Sequence, residues 1–142
     1  MDAEDIVPPP YYETLGIEIV ALEPGWAVAR MPVGESVSAA REQPLAHGGA
    51  IASLADSAGY WAISAANGFA TTPTIDLRTD YLAPATADLR AEATVVRNGE
   101  SVGVVDVELT SGEETIATAR GVFKTGGDPG DGSAWDGDRN AE

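Results

Sequence analysis

One segment constrains the fold of this chain more than any other, the run of small apolar residues from Gly48 to Ala66. Its larger apolar side chains recur with the i, i+3, i+4, i+7 spacing of an α-helix, and its opposite side consists of Ala, Ser and Gly. Because the run contains no Lys, Arg or Glu, no face of this helix is suited to bulk water. We therefore predict a helix buried on nearly all sides, ended by Asn67-Gly68, with a sheet wrapped around it.

The segments on either side of this helix alternate apolar and polar residues, as half-buried strands do. Two of them precede the helix and four follow it, and turn signals ("EPG", "RNGE", "SGEE") separate successive strands. The last three strands should form an antiparallel meander. This order predicts an α+β fold with an antiparallel sheet around one central helix. The predicted strands cover residues 16–22, 26–33, 75–81, 89–95, 105–109 and 115–124, after a helical turn in "YYETLG".

Composition divides the chain into one central domain and two polar ends. Residues 1–10 are acidic and rich in Pro, and residues 126–142 are dominated by Gly and Asp, so neither end buries enough apolar surface to offset its ordering entropy. We predict a flexible segment over 1–10, one domain over 11–125 and a disordered acidic tail over 126–142 that keeps Trp135 in solvent. Without a basic leader or a long apolar run, we expect a soluble, cytoplasmic protein.

The formal net charge of −15, from 23 acidic and 8 basic residues with a single Lys, limits the partners of the chain. Such a surface repels nucleic acid and anionic membranes, so we expect neither as a partner. Salt screens repulsion between carboxylates, and the composition therefore suggests a halophilic source. The chain has no Cys and one His, which excludes thiolate and His-rich metal sites, and we expect no metal and no cofactor.

Asp56 is the one charged residue inside the apolar helix. A buried carboxylate is costly unless it is hydrogen-bonded, paired or used in chemistry. Asp56 follows Ile51 by about 140° around the helix, so its side chain can emerge at a seam of the fold. The residues alone leave two interpretations open: a structural Asp bonded to a neighbouring strand or to Tyr60, and a functional carboxylate.

The pattern HGG-x4-L-x-D over 47–56, followed by "TPTIDLRTDYLAPA" over 72–85, resembles the hotdog-fold acyl-CoA thioesterases, in particular their PaaI-like branch from phenylacetate degradation. The segments "GVVDVELT" and "TATARGVFKT" are similar to the closing strands of that family, and the similarity covers about residues 12–125. The resemblance implies a hotdog fold and the hydrolysis of a CoA thioester to a free acid and CoA.

The resemblance also implies roles for residues at the helix. Asp56 matches the carboxylate that acts as general base or nucleophile. Gly48 and Gly49 match the helix start, whose backbone N–H groups polarise the thioester carbonyl. His47 offers two interpretations, a base or a residue that supports the helix start, and the family match favours the supporting role.

Other matches are weaker. The family commonly has an amide side chain six residues before the histidine, and this sequence has Arg41 there, with Gln43 as a possible replacement. Thr74 matches a hydroxyl that orients the water, although an ordinary strand threonine is equally compatible. Tyr60 and Trp61 line the implied acyl site or belong to the core. The implied CoA contacts are in the fourth-to-fifth strand hairpin: Arg97, Asn98, Gly99 and Ser101, with Arg120 as a further candidate for phosphate.

Proteins of this kind pair their third strand, here about residues 74–82, across a two-fold axis. The resemblance therefore implies a homodimer or homotetramer with a shared active site and an acyl-CoA substrate. A non-catalytic acyl-CoA-binding or regulatory hotdog module is the alternative, and Arg41 is its best support. A hotdog dehydratase is disfavoured, because the chain lacks the His/Asp motif beside a proline.

Overall fold

The computed structural model describes residues 1–126. It contains the predicted two strands, one long helix and four further strands, preceded by a short helix. The helices are α1 (Pro10–Leu15) and α2 (Gly48–Ala65), and the strands are β1 (Glu18–Glu23), β2 (Trp26–Met31), β3 (Thr74–Tyr81), β4 (Leu89–Asn98), β5 (Val102–Ser111) and β6 (Glu114–Lys124). Short 3-10 turns cover Ala3–Asp5 and Glu35–Val37.

The six strands form one antiparallel sheet in the order β1-β2-β4-β5-β6-β3. The predicted meander of β4, β5 and β6 is confirmed. The strand that directly follows the helix, β3, pairs on one side with the last strand, and Leu77 lies opposite Gly121. Within the described residues the other edge of β3 has no partner strand, so a row of backbone N–H and C=O groups is left open there.

Helix α2 lies inside the curve of the sheet and supplies the centre of the core. Leu54, Ala58 and Ala62 are fully buried, and Gly59 allows the ring of Phe123 to approach its backbone, since a Cβ there would lie 3.1 Å from that ring. The prediction of burial on nearly all sides is wrong for one strip of the helix. The partly buried members of that strip follow the three-to-four residue spacing of one helical face: Ala52, Ser53, Asp56 and Tyr60.

The strip stays open because the sheet does not close around the helix. Helix α1 lies along one side of the gap, where the Tyr11 hydroxyl and Ser53 Oγ are 2.8 Å apart. Strand β3 lies along the other side, where Thr74 contacts Asp56. The fold therefore leaves a cleft along α2 with the carboxylate in its wall.

Turn geometry agrees with the sequence at two hairpins and differs at the third. Gly25 and Gly112 have φ of 85° and 63°, the left-handed region that the turns require. In the β4–β5 hairpin, Asn98 belongs to the strand and pairs with Gly103. The hairpin prediction is confirmed, but its turn is formed around residues 99–102, where the Gly99 N–H donates to the Val102 carbonyl at 3.0 Å.

The two predicted polar ends have different outcomes. Part of segment 1–10 has a defined conformation, because the turn at Ala3–Asp5 is closed by a 2.8 Å bond from the Asp2 N–H to Asp5, and Ala3 and Ile6 pack against the core. Most of the predicted tail, including Trp135, lies outside the described residues, and the domain boundaries stay a prediction. No helix in the described part is long and apolar enough to cross a membrane.

Candidate active site

Asp56 and Thr74 form the central pair of the candidate site. The Thr74 hydroxyl, on the first residue of β3, donates to Asp56 Oδ1 at 2.6 Å. Burial raises the pKa of Asp56 above its ordinary value of 3.8, and the Thr74 bond acts in the opposite direction with a smaller effect. No second donor binds this carboxylate among residues 1–126, so Oδ2 remains able to accept a proton.

The cleft beside this pair has a volume of about 500 Å³. Helix α1 contributes Tyr12, α2 contributes Ser57 and Tyr60, and β3 contributes Leu77. Burial raises the pKa of Tyr12, so its phenol stays protonated and can donate a hydrogen bond. The cleft therefore combines apolar and aromatic walls with a few polar groups, as small-molecule sites commonly do.

A larger open concavity of about 800 Å³ lies over the loop that precedes α2. Both Arg41 and Gln43 line it, with exposed side chains. The Ser38 hydroxyl organises this loop by donating to the Ala40 carbonyl at 2.8 Å and accepting the N–H of Leu45 at 3.2 Å. Neither Arg41 nor Gln43 makes a side-chain hydrogen bond in the described residues. The smaller cleft, which contains the hydrogen-bonded carboxylate of Asp56, is therefore the better candidate for the active site.

The start of α2 is capped by the side chain of the preceding residue. His47 Nδ1 accepts the Gly49 N–H at 2.8 Å, which requires this nitrogen to be unprotonated and places the proton of a neutral ring on Nε2. The structure thus separates the two predicted carbonyl donors. The Gly49 N–H is occupied by His47, whereas the Gly48 N–H has no acceptor among the described residues.

Tyr81, the last residue of β3, covers the helix start; the sequence predicts it as a strand residue, and gives it no role at the site. Its phenol donates to the Gly48 carbonyl at 2.7 Å, and a Cβ at Gly48 would lie 3.3 Å from its ring. The signal available in the sequence was the glycine itself, since a glycine at the first helical position can mark a close approach.

Gly48 and Asp56 are too far apart to act on one carbonyl within one chain. Eight residues separate them on the same helix, which at 1.5 Å per residue is about 12 Å. A reacting carbon has to lie about 3 Å from both the nucleophile and the groups that bind its oxygen. If both residues serve one reaction, as the resemblance implies, a single chain holds two half-sites, one at each of these residues.

The predicted CoA contacts lie at the far end of α2. The Asn98 amide donates to the Ala66 carbonyl at 3.4 Å and accepts from the Asn67 amide at 3.0 Å, so it holds the end of the helix. The Gly99 carbonyl accepts from the Thr125 hydroxyl at 2.7 Å, while Arg97 and Ser101 are exposed. Ala66 lies ten residues beyond Asp56, about 15 Å along the helix.

Two further predicted residues have other contacts. Trp61 does not line the cleft and packs against Tyr60 edge to face, with ring centroids 5.3 Å apart. Arg120 is a poor phosphate ligand, because it forms a two-point ion pair with Asp106 at 2.7 and 2.9 Å, and this bond lowers the pKa of Asp106. Residues 1–126 contain no group of three His, Asp or Glu side chains that could hold a metal ion.

The fold and the cleft agree with a known family. A family model described as the thioesterase superfamily matches residues 43–118, more than half of the chain. The chain belongs to the thioesterase superfamily, a family of thioester hydrolases. The predicted hotdog fold is confirmed.

Individual relatives narrow the likeness to the PaaI-like branch. The chain is 32% identical over 112 residues to the acyl-coenzyme A thioesterase PaaI of Escherichia coli, covering 77% of each protein. The solved structure of E. coli PaaI, from the phenylacetic acid degradation operon, matches with a TM-score of 0.76 and 29% identity over 85% of this chain and 87% of that one.

A second curated relative matches a smaller part of the chain. A Halobacterium salinarum protein, whose name assigns it provisionally to the esterases, is 40% identical over 88 residues. That match covers 55% of this chain and 58% of the relative, so the chain spans little more than half of that protein's length.

Proposed function

We propose that the protein is an acyl-CoA thioesterase that hydrolyses a CoA thioester to a free acid and CoA, with Asp56 as general base or nucleophile. The observation that carries the proposal is the Asp56–Thr74 pair, a half-buried carboxylate with a raised pKa in the wall of a cleft. A raised pKa makes a carboxylate a better proton acceptor near neutral pH.

In the general-base route, Asp56 takes a proton from water as the water oxygen forms a bond to the thioester carbon. The carbon–sulfur bond then breaks, and the proton passes from Asp56 to the CoA thiolate. In the nucleophilic route, the Asp56 carboxylate attacks the thioester carbon, the carbon–sulfur bond breaks to release the CoA thiolate, and the resulting mixed anhydride is hydrolysed by water to the free acid and Asp56, with the released proton passing to the thiolate. In both routes charge develops on the carbonyl oxygen, and the Gly48 N–H at the positive end of the helix dipole is suited to bind it.

A second copy of the chain would join the two half-sites. Strand β3 has an open edge, and the exposed fractions of Ile75, Tyr81 and Leu82 are 49%, 53% and 60%. Pairing of two β3 strands about a two-fold axis near their centres places the Thr74 end of one beside the Tyr81 end of the other. Because Thr74 contacts Asp56 and Tyr81 contacts Gly48, the Asp56 of one chain would then approach the partner's Gly48.

The proposed assembly is therefore a homodimer, alone or within a homotetramer. The substrate follows from the cleft, whose Tyr12 and Tyr60 suit an aryl or medium-chain acyl group. For the CoA moiety, the hairpin over residues 97–101 remains the proposed contact, with Arg97 as its cation.

The alternative function is an acyl-CoA-binding module without turnover. The observation that favours it is the exposed Arg41 in the loop before α2, where the family commonly has an amide. An assay of free thiol release from a panel of acyl-CoAs separates the two functions. Thiol release supports hydrolysis, whereas tight binding without release supports the module.

We expect Asp56→Asn to lower kcat by about 10²–10⁴, the usual cost of losing a general base, with little change in KM. The amide keeps the shape and can still accept the Thr74 hydrogen bond, but it cannot take up a proton. Asp106→Asn is the matched control, because that aspartate is bonded on the outer face of the sheet, and its kcat should equal that of the wild type. A fully active Asp56→Asn enzyme would contradict the assignment.

A further inference from the structure

The two polar links between β3 and α2 lie at opposite ends of the strand. Thr74 bonds to the Asp56 carboxylate and Tyr81 bonds to the Gly48 carbonyl, at 2.6 and 2.7 Å. In the described residues no other hydrogen bond joins this strand to this helix. The Thr74 bond thus holds the carboxylate of one half-site, and the Tyr81 bond holds the backbone of the carbonyl-binding half-site.

The glycines at the helix start are explained by the side chains that lie against them. Neither Gly48 nor Gly49 has a positive φ, so backbone conformation does not require glycine at either position. A Cβ at Gly48 would lie 3.3 Å from the Tyr81 ring, and a Cβ at Gly49 would lie 3.1 Å from His47 Nδ1. Both distances are shorter than an ordinary van der Waals contact, so the side chains of Tyr81 and His47 pack directly against the backbone of the two glycines.

These two side chains hold the same peptide group from opposite ends. The peptide that joins Gly48 to Gly49 has its carbonyl bonded to the Tyr81 hydroxyl and its N–H bonded to His47 Nδ1. Glycine backbone is otherwise free to rotate. The neighbouring peptide, which carries the unoccupied Gly48 N–H, is bonded through the His47 carbonyl, which accepts the Ala50 and Ile51 N–H groups at 2.9 and 3.1 Å. With both planar peptides held, the torsion angles of Gly48 are fixed, and its N–H keeps one direction at the helix start.

We infer that Tyr81 is a positioning residue for hydrolysis, which acts through the Gly48–Gly49 peptide to aim the Gly48 N–H at the thioester oxygen. The inference rests on the proposed function, because it needs a carbonyl for that N–H to bind. Donors aimed in advance at the developing charge are effective because no reorganisation is needed during the reaction. Tyr81 itself does not have to touch the substrate.

The test measures kcat and KM of Tyr81→Phe with the acyl-CoA that the wild type hydrolyses fastest. Removing an oxyanion donor altogether typically costs about 10²–10³ in kcat, and losing its support should cost less, so we expect a fall of about tenfold. KM should stay within about twofold of the wild type, since the phenol holds no part of the substrate. An unchanged kcat in Tyr81→Phe would overturn the inference.

Thermal stability distinguishes positioning from a general structural role. Ser111→Ala is the matched comparison, because it removes another exposed hydrogen bond from a hydroxyl to a backbone carbonyl, that of Ala87 at 3.0 Å, and Ser111 does not line the cleft. The two variants should show similar, small changes in Tm, and Tyr81→Phe should show the far larger loss of kcat per folded molecule. A large drop in Tm with normal turnover per folded molecule would instead make Tyr81 a structural residue.

A double variant tests whether Tyr81 acts through the shared peptide. If Tyr81 and His47 hold the same group, Tyr81→Phe combined with His47→Ala should lose little more kcat than the worse single variant. If the kcat losses of the two single variants multiply in the double variant, the two residues act independently and not through the shared peptide. His47→Asn should restore much of the loss in His47→Ala, because Asn is a good N-cap residue.

The outcomes keep the inference apart from the proposed function. A wild type that releases no thiol from any acyl-CoA of the panel rejects the proposed function and this inference with it. An active wild type whose Asp56→Asn variant is inactive, but whose Tyr81→Phe variant is unimpaired, rejects the inference alone.

Discussion

At the scale of single residues, the raised pKa of Asp56 makes the stability of the fold depend on pH. Burial disfavours its ionised form, so the folded protein binds this proton more tightly than the unfolded chain does. The associated stabilisation is complete below the ordinary pKa of 3.8 and is lost as the pH rises through the higher pKa of the folded state. At neutral pH the ionised carboxylate thus lowers the free energy of unfolding, a cost that the proposed role as a base would explain.

The acid limb of the pH–rate profile should report this carboxylate. The base must be ionised, so kcat/KM should fall as the pH drops through the raised pKa of Asp56. The Thr74 bond lowers that pKa, and Thr74→Val should therefore move the acid limb to higher pH. Thr79 lies on the same strand but makes no hydrogen bond to α2, so Thr79→Val should leave the acid limb of the pH–rate profile unchanged. Identical limbs in all three proteins would exclude Asp56 as the titrating group.

The sequence indicates the candidate-site residues that differ most from their neighbours in the chain. It does not indicate Tyr81, which resembles an ordinary strand residue. Asp56 is conspicuous as a charge in an apolar helix, and the glycine pair after His47 marks a special helix start. The sequence predicts Tyr81 only as part of an alternating strand, because nothing local shows which helix residue its phenol reaches. Its partner Gly48 is 33 residues away in the chain.

At the scale of elements, β3 is the part of the fold least explained by a single chain. The alternation of Ile75 and Leu77 predicted one buried face, yet Ile75 is 49% exposed and a register shift follows Thr74. An apolar residue beside an open strand edge is unfavourable in water. A partner strand would cover both the Ile75 side chain and the open edge of β3.

We expect Ile75→Asp to disrupt the proposed pairing of β3 strands. A carboxylate at that edge would have to be desolvated or repelled at the interface, so light scattering should show smaller assemblies than those of the wild type, and turnover should be lost with the shared site. Val96→Asp is the control, because that valine is 56% exposed on β4, away from β3. An Ile75→Asp protein that stays dimeric and active would contradict the shared-site proposal.

Local patterns were sufficient for most elements, and the errors come from long-range packing. Alternation and turn residues located the hairpins of β4, β5 and β6, since neighbouring strands determine them. The open strip of α2 could not be predicted, because small residues such as Ala52 and Ser53 fit both a buried and a half-exposed face. The pairing of β3 with β6 depends on the whole sheet.

At the scale of the whole molecule, charge is the dominant feature. With a net charge of −15 and one Lys, mutual repulsion between carboxylates opposes the compact state at low ionic strength.

We expect the thermal midpoint to rise with salt, because the Debye length shrinks from about 10 Å at 0.1 M to about 3 Å at 1 M. Thermal unfolding in KCl from about 0.1 M to about 3 M measures this, with KCl replaced by an uncharged osmolyte as the control. Full stability at low salt would count against the halophilic interpretation.

The late position of β3 in the sheet has a consequence for the order of folding. The β4–β5 and β5–β6 hairpins close over a few residues, whereas Thr74 pairs with Phe123 across most of the C-terminal half of the chain. Contacts that close long loops generally form after local ones. We therefore expect the meander to assemble first and β3 to dock last. Since β3 brings both Thr74 and Tyr81 to α2 and also carries the open edge, newly made chains would complete both half-sites, and the edge proposed to pair with a second copy, only at the final folding step.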